Sequence, residues 1–377
     1  MVFMQSRLGT HNLARATVLV SMLLGWAVSW AQATGGNSNS PWHLASVFTQ
    51  RQVAPAAINV WGIEPGAHQV VVAVIDSGVM SEHPALQGRL LPGYDMQSAH
   101  NPRGGRSNHF EPEAPHQRCN NQPVSNAYRT HGTEVASLIV GNGFANVWGV
   151  NPSALVVPVR IMGPCPMTRA DILDAMAWAA GFEVPGVPPN QHPAQVINLS
   201  FSGGGFRCDV RTQALIDRIV ERGIFVVAAA GNTFRKQLQE PANCRGVVSV
   251  GAVSAEGDIE VYSALDSRTV LYAPGGGRPL DVRGHWANNK LRVATEDQDL
   301  FGRPRLTGAD RGIGTSFAAP VVSGFVALLL SYQPNTRPGD LLEKLEAFAR
   351  RIEVDGLQSC PCDGWALRLT QKEALVR

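Results

Sequence analysis

Runs of apolar residues alternate along the chain with amphipathic stretches. Five runs rich in Val, Ile and Ala lack polar alternation, which is typical of strands covered on both faces of a sheet. They predict strands at residues 68–76, 154–162, 194–201, 223–231 and 246–253. The stretches with helical period predict helices at residues 131–141, 169–181 and 210–223. This order predicts an α/β fold of three layers, a mostly parallel, doubly wound sheet flanked by helices.

Two polar segments interrupt this pattern without dividing the chain. Residues 96–130 and 183–195 are rich in Pro, Asn and Gly and predict surface loops. The histidines and glutamates of the first segment follow no recurrent ligand spacing, so we predict no metal site there. Because no internal repeat or charge block occurs, we expect one domain over residues 51–377, preceded by a linker or N-terminal extension at residues 34–50.

The N-terminus has the pattern of a secretory signal peptide. Arg7 and Arg15 precede a short apolar run that ends in the small-x-small sequence Ala31-Gln32-Ala33. We therefore expect residues 1–33 to be removed and the protein to be periplasmic or extracellular. Removal takes away two arginines and no acidic residue, which leaves equal numbers of basic and acidic side chains. This balance argues against nucleic acid and against a lasting membrane partner.

The chain contains an even number of cysteines, which in an exported protein predicts disulfides rather than free thiols. The spacing alone leaves 15 connectivities open. No CxxC pair occurs, so a zinc site is not expected. The disulfide candidates are Cys119, Cys165, Cys208, Cys244, Cys360 and Cys362.

Three chemistry-bearing residues stand at the ends of predicted elements. Asp76 ends a buried strand, His131 opens an apolar helix, and Ser316 opens the uncharged helix "GTSFAAPVVSGFVALLL". Each alone has a structural explanation, as a turn or helix cap. Together they form the set that a serine nucleophile needs, and their order along the chain is the one found in subtilisin. Asn232 follows another strand and supplies a side-chain amide suited to an oxyanion.

Four motifs carry a resemblance to a known family. "AVIDSG", "HGTEVASL", "AAAGN" and "GTSFAAP" are similar, in place and in order, to motifs of the subtilisin-like serine proteases, the subtilases. The resemblance implies a seven-stranded sheet, the catalytic triad Asp76, His131 and Ser316, and Asn232 as the oxyanion-hole amide. It also implies a substrate-binding edge and pocket wall formed by Ser200, Phe201, Ser202, Gly203, Ala229, Ala230 and Gly231.

The resemblance to secreted bacterial members also suggests how the cysteines pair and raises the question of a prodomain. It implies the bonds Cys119–Cys165 and Cys208–Cys244, which leaves Cys360 and Cys362 as a short pair. Secreted relatives usually carry a folded prodomain before the catalytic domain. Roughly 30 residues separate the predicted signal peptide from the first strand. We therefore expect either that the protein folds without a prodomain or that something else supplies its role.

Several positions depart from the family pattern. Glu134 and Ser137 replace the usual His and Gly after the histidine, and Phe317 replaces the common Met after the serine. Ser202 stands where Gly is usual on the substrate edge. Ala85 stands where calcium-binding members carry a carboxylate, so the strong calcium site of the family lacks a ligand here.

These features predict an exported serine endopeptidase that acts on protein or peptide substrates through an acyl-enzyme intermediate. We expect a monomer that needs no cofactor for catalysis. One alternative is a catalytically silent protein that keeps the fold and holds peptides in the groove. Another is a membrane-anchored maturation protease with an uncleaved signal peptide.

Overall fold

A computed structural model describes most of the chain after the N-terminal region. The described residues are 42–44, 63–98, 106–112, 118–119, 122–123, 128–163, 167–203, 205–234, 236–255, 257–266, 268–269, 271–277, 290–298, 301, 303–346, 350–352 and 364–366.

The described chain forms helices and strands that follow the predicted alternation. The helices are α1 His131–Val140, α2 Arg169–Ala179, α3 Val210–Glu221, α4 Thr315–Tyr332 and α5 Leu341–Glu346. The strands are β1 Val71–Asp76, β2 Tyr94–Asp95, β3 Arg118–Cys119, β4 Gln122–Pro123, β5 Leu155–Arg160, β6 Val196–Leu199, β7 Phe225–Ala229, β8 Val247–Val253, β9 Leu271–Pro274, β10 Leu291–Gln298, β11 Pro304–Gly312, β12 Arg350–Ile352 and β13 Gly364–Ala366.

One large sheet organises the molecule. Seven parallel strands lie in the order β9-β8-β7-β6-β1-β5-β2. At the β9 edge the sheet is extended by β13, which is parallel to β9, and then by β12, which is antiparallel to β13. The five predicted strands are all present in it, and the predicted α/β three-layer architecture is confirmed. Because the seven strands are parallel, their carboxyl ends meet along one edge, where functional residues of such sheets gather.

Helices cover both faces of the sheet. On one face α4 packs against strands β6 to β9 and α1 packs against β1, β5 and α4, and on the other face α2 and α3 cover the sheet. Helix α4 is apolar on every side and nearly all of its side chains are buried. By length and composition it could cross a membrane, but here it is the central helix of the core.

Two elements differ from the expectations. The antiparallel hairpin β10–β11 was not predicted, because only one side of it is buried and its apolar positions are few. Residues 42–44 of the predicted N-terminal extension form a short helical turn, in which His43 and Leu44 are buried against the core. Segment 183–195 is a loop, as predicted, whereas segment 96–130 contains the short antiparallel strands β3 and β4 among its described residues.

The disulfide Cys208–Cys244 is present, as the resemblance implied, with its Cα atoms 5.1 Å apart. The other proposed partners, the Cys119 side chain, Cys165, Cys360 and Cys362, lie outside the described residues, as does the predicted signal peptide at 1–33. The domain bounds therefore stay predictions.

We predict that removal of this disulfide destabilises the fold. The bond closes a loop with a sequence separation of 36 that contains α3 and β7. The double substitution Cys208→Ala, Cys244→Ala should lower the free energy of unfolding by about 3–4 kcal/mol, since the unfolded chain regains the entropy of that loop. Urea unfolding would measure the difference. A loss below about 1 kcal/mol would show that the bond constrains little.

Candidate active site

Asp76 and His131 form a hydrogen-bonded pair at the end of β1. Asp76 is fully buried, and its Oδ1 accepts a hydrogen bond of 2.7 Å from the Ser77 backbone N–H. The His131 Nδ1 lies 2.9 Å from Oδ1 and 3.0 Å from Oδ2 of the same carboxylate. Because Nδ1 donates to Asp76, the other ring nitrogen, Nε2, is left as the proton acceptor.

Small residues allow the strand end and the helix start to approach this closely. The Gly132 N–H donates to Ser77 Oγ over 3.0 Å, and the Met80 N–H donates to Thr133 Oγ1 over 3.0 Å. A methyl group on Gly132 would lie 2.2 Å from the Gly78 carbonyl oxygen. Glycine after His131 is therefore required by packing, and the "DSG" and "HG" motifs hold each other in place.

The surroundings of His131 act on its pKa in opposite directions. Burial lowers the pKa, while the charge of Asp76, the hydrogen bond to it and the charge of Glu134 raise the pKa; the net shift is upward. The imidazole therefore stays protonated to a higher pH than a free histidine, whose pKa is 6.5. A base must be neutral to accept a proton, so base function is gained as pH rises through this pKa.

Asn232 and Ser316 lie together at the start of α4. The Asn232 Oδ1 accepts hydrogen bonds of 3.0 Å from both the N–H and the Oγ1 of Thr315. Thr315 Oγ1 in turn accepts from the Gly231 N–H over 3.1 Å. With its oxygen held in this way, the Asn232 Nδ2 is left as a donor beside Ser316.

Gly314 shows how close the Asn232 amide and the Ser316 hydroxyl lie to the backbone between them. A side chain there would place its first carbon 3.1 Å from Asn232 Nδ2 and 3.2 Å from Ser316 Oγ. Gly314 also has φ +140°, a backbone conformation that other residues rarely adopt. The first turn of α4 leaves backbone N–H groups without helical partners, which favours negative charge next to Ser316.

One cavity of about 580 Å³ is lined by His131, Asn232 and Ser316. His131 and Ser316 both line it, and no hydrogen bond joins the two among the described contacts. Such contacts between catalytic groups are often long before substrate binds. No lysine, arginine, aspartate or glutamate is among the described lining residues, which are Tyr128, His131, Met162, Gly163, Met167, Ser200, Phe201, Ser202, Ala229, Asn232, Gln239, Thr315 and Ser316.

The predicted substrate-binding residues divide into two groups. Ser200, Phe201, Ser202 and Ala229 line this cavity, together with the predicted catalytic residues His131 and Ser316. The other predicted residues lie beside it. Gly203 lines an adjoining cavity of about 230 Å³, Ala230 is buried against Leu238 and Ala264, and Gly231 lies next to Ser202 and Thr315.

Sequence reasoning missed several of the lining residues. Met162 and Gly163 follow β5 at the same sheet edge as Asp76, so their position after a buried strand was an available signal. Tyr128, Met167 and Gln239 come from connecting segments, and no motif marks them. The rings of Tyr128 and Phe317 contact the His131 imidazole edge-on, at centroid distances of 6.4 and 5.5 Å.

The residues around Ala85 do not fit a calcium ion. The Ala85 side chain is fully buried in a small apolar cluster with Val147 and Ala294, and its carbonyl oxygen accepts from the Asn142 N–H over 3.1 Å. Within the described ranges, no three His, Cys, Asp or Glu residues are grouped as metal ligands. Calcium needs several oxygen ligands, which these residues do not supply.

Comparison with known proteins identifies the family. The family model described as the subtilase family matches residues 67–358. The chain belongs to the subtilase family. It is 37% identical over 288 residues to the extracellular basic protease of Dichelobacter nodosus and 35% identical over 286 residues to an extracellular protease of Xanthomonas campestris pv. campestris. Each alignment covers 73% of this chain, but only 45% and 46% of those relatives.

Solved structures share the subtilase fold. A structure of a protease from Pseudoalteromonas arctica aligns with a TM-score of 0.71 at 31% identity, covering 91% of this chain and 98% of the other. A cold-adapted subtilisin-like serine proteinase aligns with a TM-score of 0.60 at 23% identity, covering 89% and 100%. The second likeness shows the fold alone.

We predict that the reactivity of Ser316 in this subtilase rises with pH. Labelling by a serine-directed phosphonate requires neutral His131, and the Asp76 carboxylate raises the His131 pKa. The rate of labelling should therefore have an acidic limb with a midpoint above 6.5. Asp76→Asn should move the midpoint down and slow labelling. A wild-type midpoint at or below 6.5 would contradict the coupling of the pair.

A second prediction concerns Gly314. Gly314→Ala should prevent labelling of Ser316, because the added methyl would lie beside the Asn232 amide and the Ser316 hydroxyl and the backbone conformation disfavours alanine. Gly339→Ala is the matched control, since a methyl there would meet nothing within 4 Å. Equal labelling of the two variants would argue against this geometry.

Proposed function

We propose that this subtilase is a serine endopeptidase, with Asp76, His131 and Ser316 as its triad and Asn232 as its oxyanion-hole amide. The supporting observation is the Asp76–His131 hydrogen bond, formed at the border of a cavity that Ser316 and Asn232 also line. The family match and the relatives named as extracellular proteases support the same reaction.

The acylation step uses these groups in order. Ser316 Oγ attacks the carbonyl carbon of the scissile peptide bond while its proton passes to His131 Nε2. Asp76 holds the imidazole in the required tautomer and stabilises its positive charge. The tetrahedral oxyanion accepts hydrogen bonds from Asn232 Nδ2 and the Ser316 backbone N–H. The C–N bond then breaks, and His131 gives its proton to the leaving amine.

Deacylation returns the enzyme to its starting state. Water attacks the acyl ester, and its proton passes to His131 Nε2. The ester C–O bond breaks, and Ser316 Oγ regains a proton from the imidazolium as the carboxylic acid leaves. No metal or cofactor takes part in either step.

We further propose that the protein acts on protein or peptide substrates after export. The signal-like N-terminus and the extracellular relatives support secretion, to the periplasm or the medium. All four proposed catalytic groups come from one chain, which supports a monomer as the active unit.

The proposal predicts that Ser316→Ala abolishes both peptide hydrolysis and phosphonate labelling, because the substitution removes the hydroxyl that attacks the carbonyl carbon. Purified protein with a casein or peptide-library substrate tests the first, and mass spectrometry of the labelled protein tests the second. Equal hydrolysis or labelling in the variant would contradict the assignment. A wild type that binds peptides without cleaving them would identify the silent peptide-binding alternative.

Asn232→Ala should lower kcat by about 100- to 1000-fold with a smaller effect on KM, since its amide acts mainly on the oxyanion. Asn190→Ala is the matched control, because Asn190 carries the same amide in the loop 183–195, where it donates to the Trp178 carbonyl. An unchanged kcat in Asn232→Ala, measured by steady-state hydrolysis, would remove Asn232 from the proposed mechanism.

A further inference from the structure

Glu134 is a buried carboxylate one turn after His131 in α1. Only 5% of the residue is exposed. Its Oε1 accepts hydrogen bonds from Thr130 Oγ1 at 2.7 Å and Thr295 Oγ1 at 3.0 Å, and it lies 3.3 Å from Arg311 Nε. A buried charge is costly unless such partners surround it, so this set is a specific arrangement rather than a solvated surface charge.

The partners of Glu134 come from both strands of the hairpin β10–β11. Thr295 belongs to β10 and Arg311 to β11, and the Arg311 Nη1 donates to Thr295 Oγ1 over 3.1 Å. The carboxylate therefore fastens the two strands to one helix. Glu134 does not line the catalytic cavity, so it does not contact the reacting atoms.

A second contact supports the same attachment. Ser137, one turn further along α1, accepts a hydrogen bond of 3.0 Å from the Ala294 N–H of β10. Leu138 packs in a cluster with Leu291, Val293 and Phe317. Glu134 and Ser137 are the two positions of this motif at which the chain departs from the usual His and Gly. Both departures contact the same hairpin.

The hairpin leads directly to the proposed nucleophile. Strand β11 ends at Gly312, and Ser316 follows in the first turn of α4. The helix to which the hairpin is fastened, α1, begins at His131. The separation of base and nucleophile therefore depends on how the hairpin is held against α1.

We propose that Glu134 is a positioning residue of this subtilase, which sets Ser316 relative to His131 by fastening the hairpin β10–β11 to helix α1. The inference rests on the proposed proteolytic function. A misplacement of about 1 Å between reacting groups can cost about 100-fold in rate, so a modest shift of the hairpin is enough to matter.

Two substitutions separate the attachment from the charge. Glu134→Gln keeps an oxygen acceptor for Thr130 and Thr295, whereas Glu134→Ala removes it. Glu134→Ala should lower kcat per titrated active site by about 10- to 100-fold with little change in KM. Glu134→Gln should keep kcat within about threefold at high pH. Glu221→Ala, an exposed carboxylate at the end of α3, is the control.

The pH profile reports loss of the Glu134 charge separately from loss of the attachment. The charges that act on His131 are those of Asp76 from β1 and Glu134 from its own helix; Arg311 on β11 pairs with Glu134, and Arg129 pairs with Glu296 of β10. Loss of the Glu134 charge should therefore move the acidic limb to lower pH in both variants, but not in the control. Equal kcat values in wild type, Glu134→Ala and Glu221→Ala would overturn the proposal.

Hydrogen exchange tests the attachment without relying on activity. In an inactive Ser316→Ala background, Glu134→Ala should speed amide exchange in β10 and in residues 311–316 relative to the background alone. Equal exchange overturns the proposal whether or not the wild type hydrolyses peptides. If Glu134→Ala speeds exchange but the wild type hydrolyses nothing, the attachment stands and the proposed function is what fails.

Discussion

The burial of the Asp76 carboxylate at the end of β1 is the constraint on which the site depends. A charge with no solvent exposure needs hydrogen-bond donors, and here they are the Ser77 N–H and His131 Nδ1. Meeting this need brings the start of α1 against the end of β1 and fixes the imidazole tautomer. The cost of burying the carboxylate is thus offset by the same contact that prepares the base.

The parallel sheet explains why the other groups lie nearby. β1, β5, β6 and β7 end along one edge. The chain at the ends of β5, β6 and β7 lines the cavity, and the end of β1 supplies Asp76, which holds His131. Helix α4 packs beneath this edge on one face of the sheet, with its first turn at the cavity. The site is therefore assembled from rigid element ends, with flexible side chains such as Met162, Met167 and Gln239 only on its walls.

Much of this could be predicted from the sequence, for a physical reason. Asp76, His131, Asn232 and Ser316 are polar residues at the ends of apolar runs, where burial makes an unneeded polar group costly. The hairpin β10–β11 and the role of Glu134 could not be predicted in the same way. Glu134 finds Thr295 at a sequence separation of 161, and no local pattern encodes a contact at that distance.

The residues that line the cavity walls could not be predicted from the sequence, for a related reason. Tyr128, Met167 and Gln239 lie in connecting segments, whose path is set by what they pack against and not by periodicity. The resemblance to the family pointed to Ser200 and Phe201, which line the cavity. The contacts made by the residues that depart from the family pattern, such as Glu134 and Ser137, were visible only in the structure.

Helix α4 joins the chemistry of the protein to its folding. The helix that presents Ser316 has nearly all of its other side chains buried in the core, so the proposed nucleophile has no defined position until the core has formed around it. Catalytic competence and cooperative folding therefore arise in the same event. On the proposed function, a partly folded molecule has no positioned nucleophile with which to cleave its neighbours, so activity is confined to chains that have already folded.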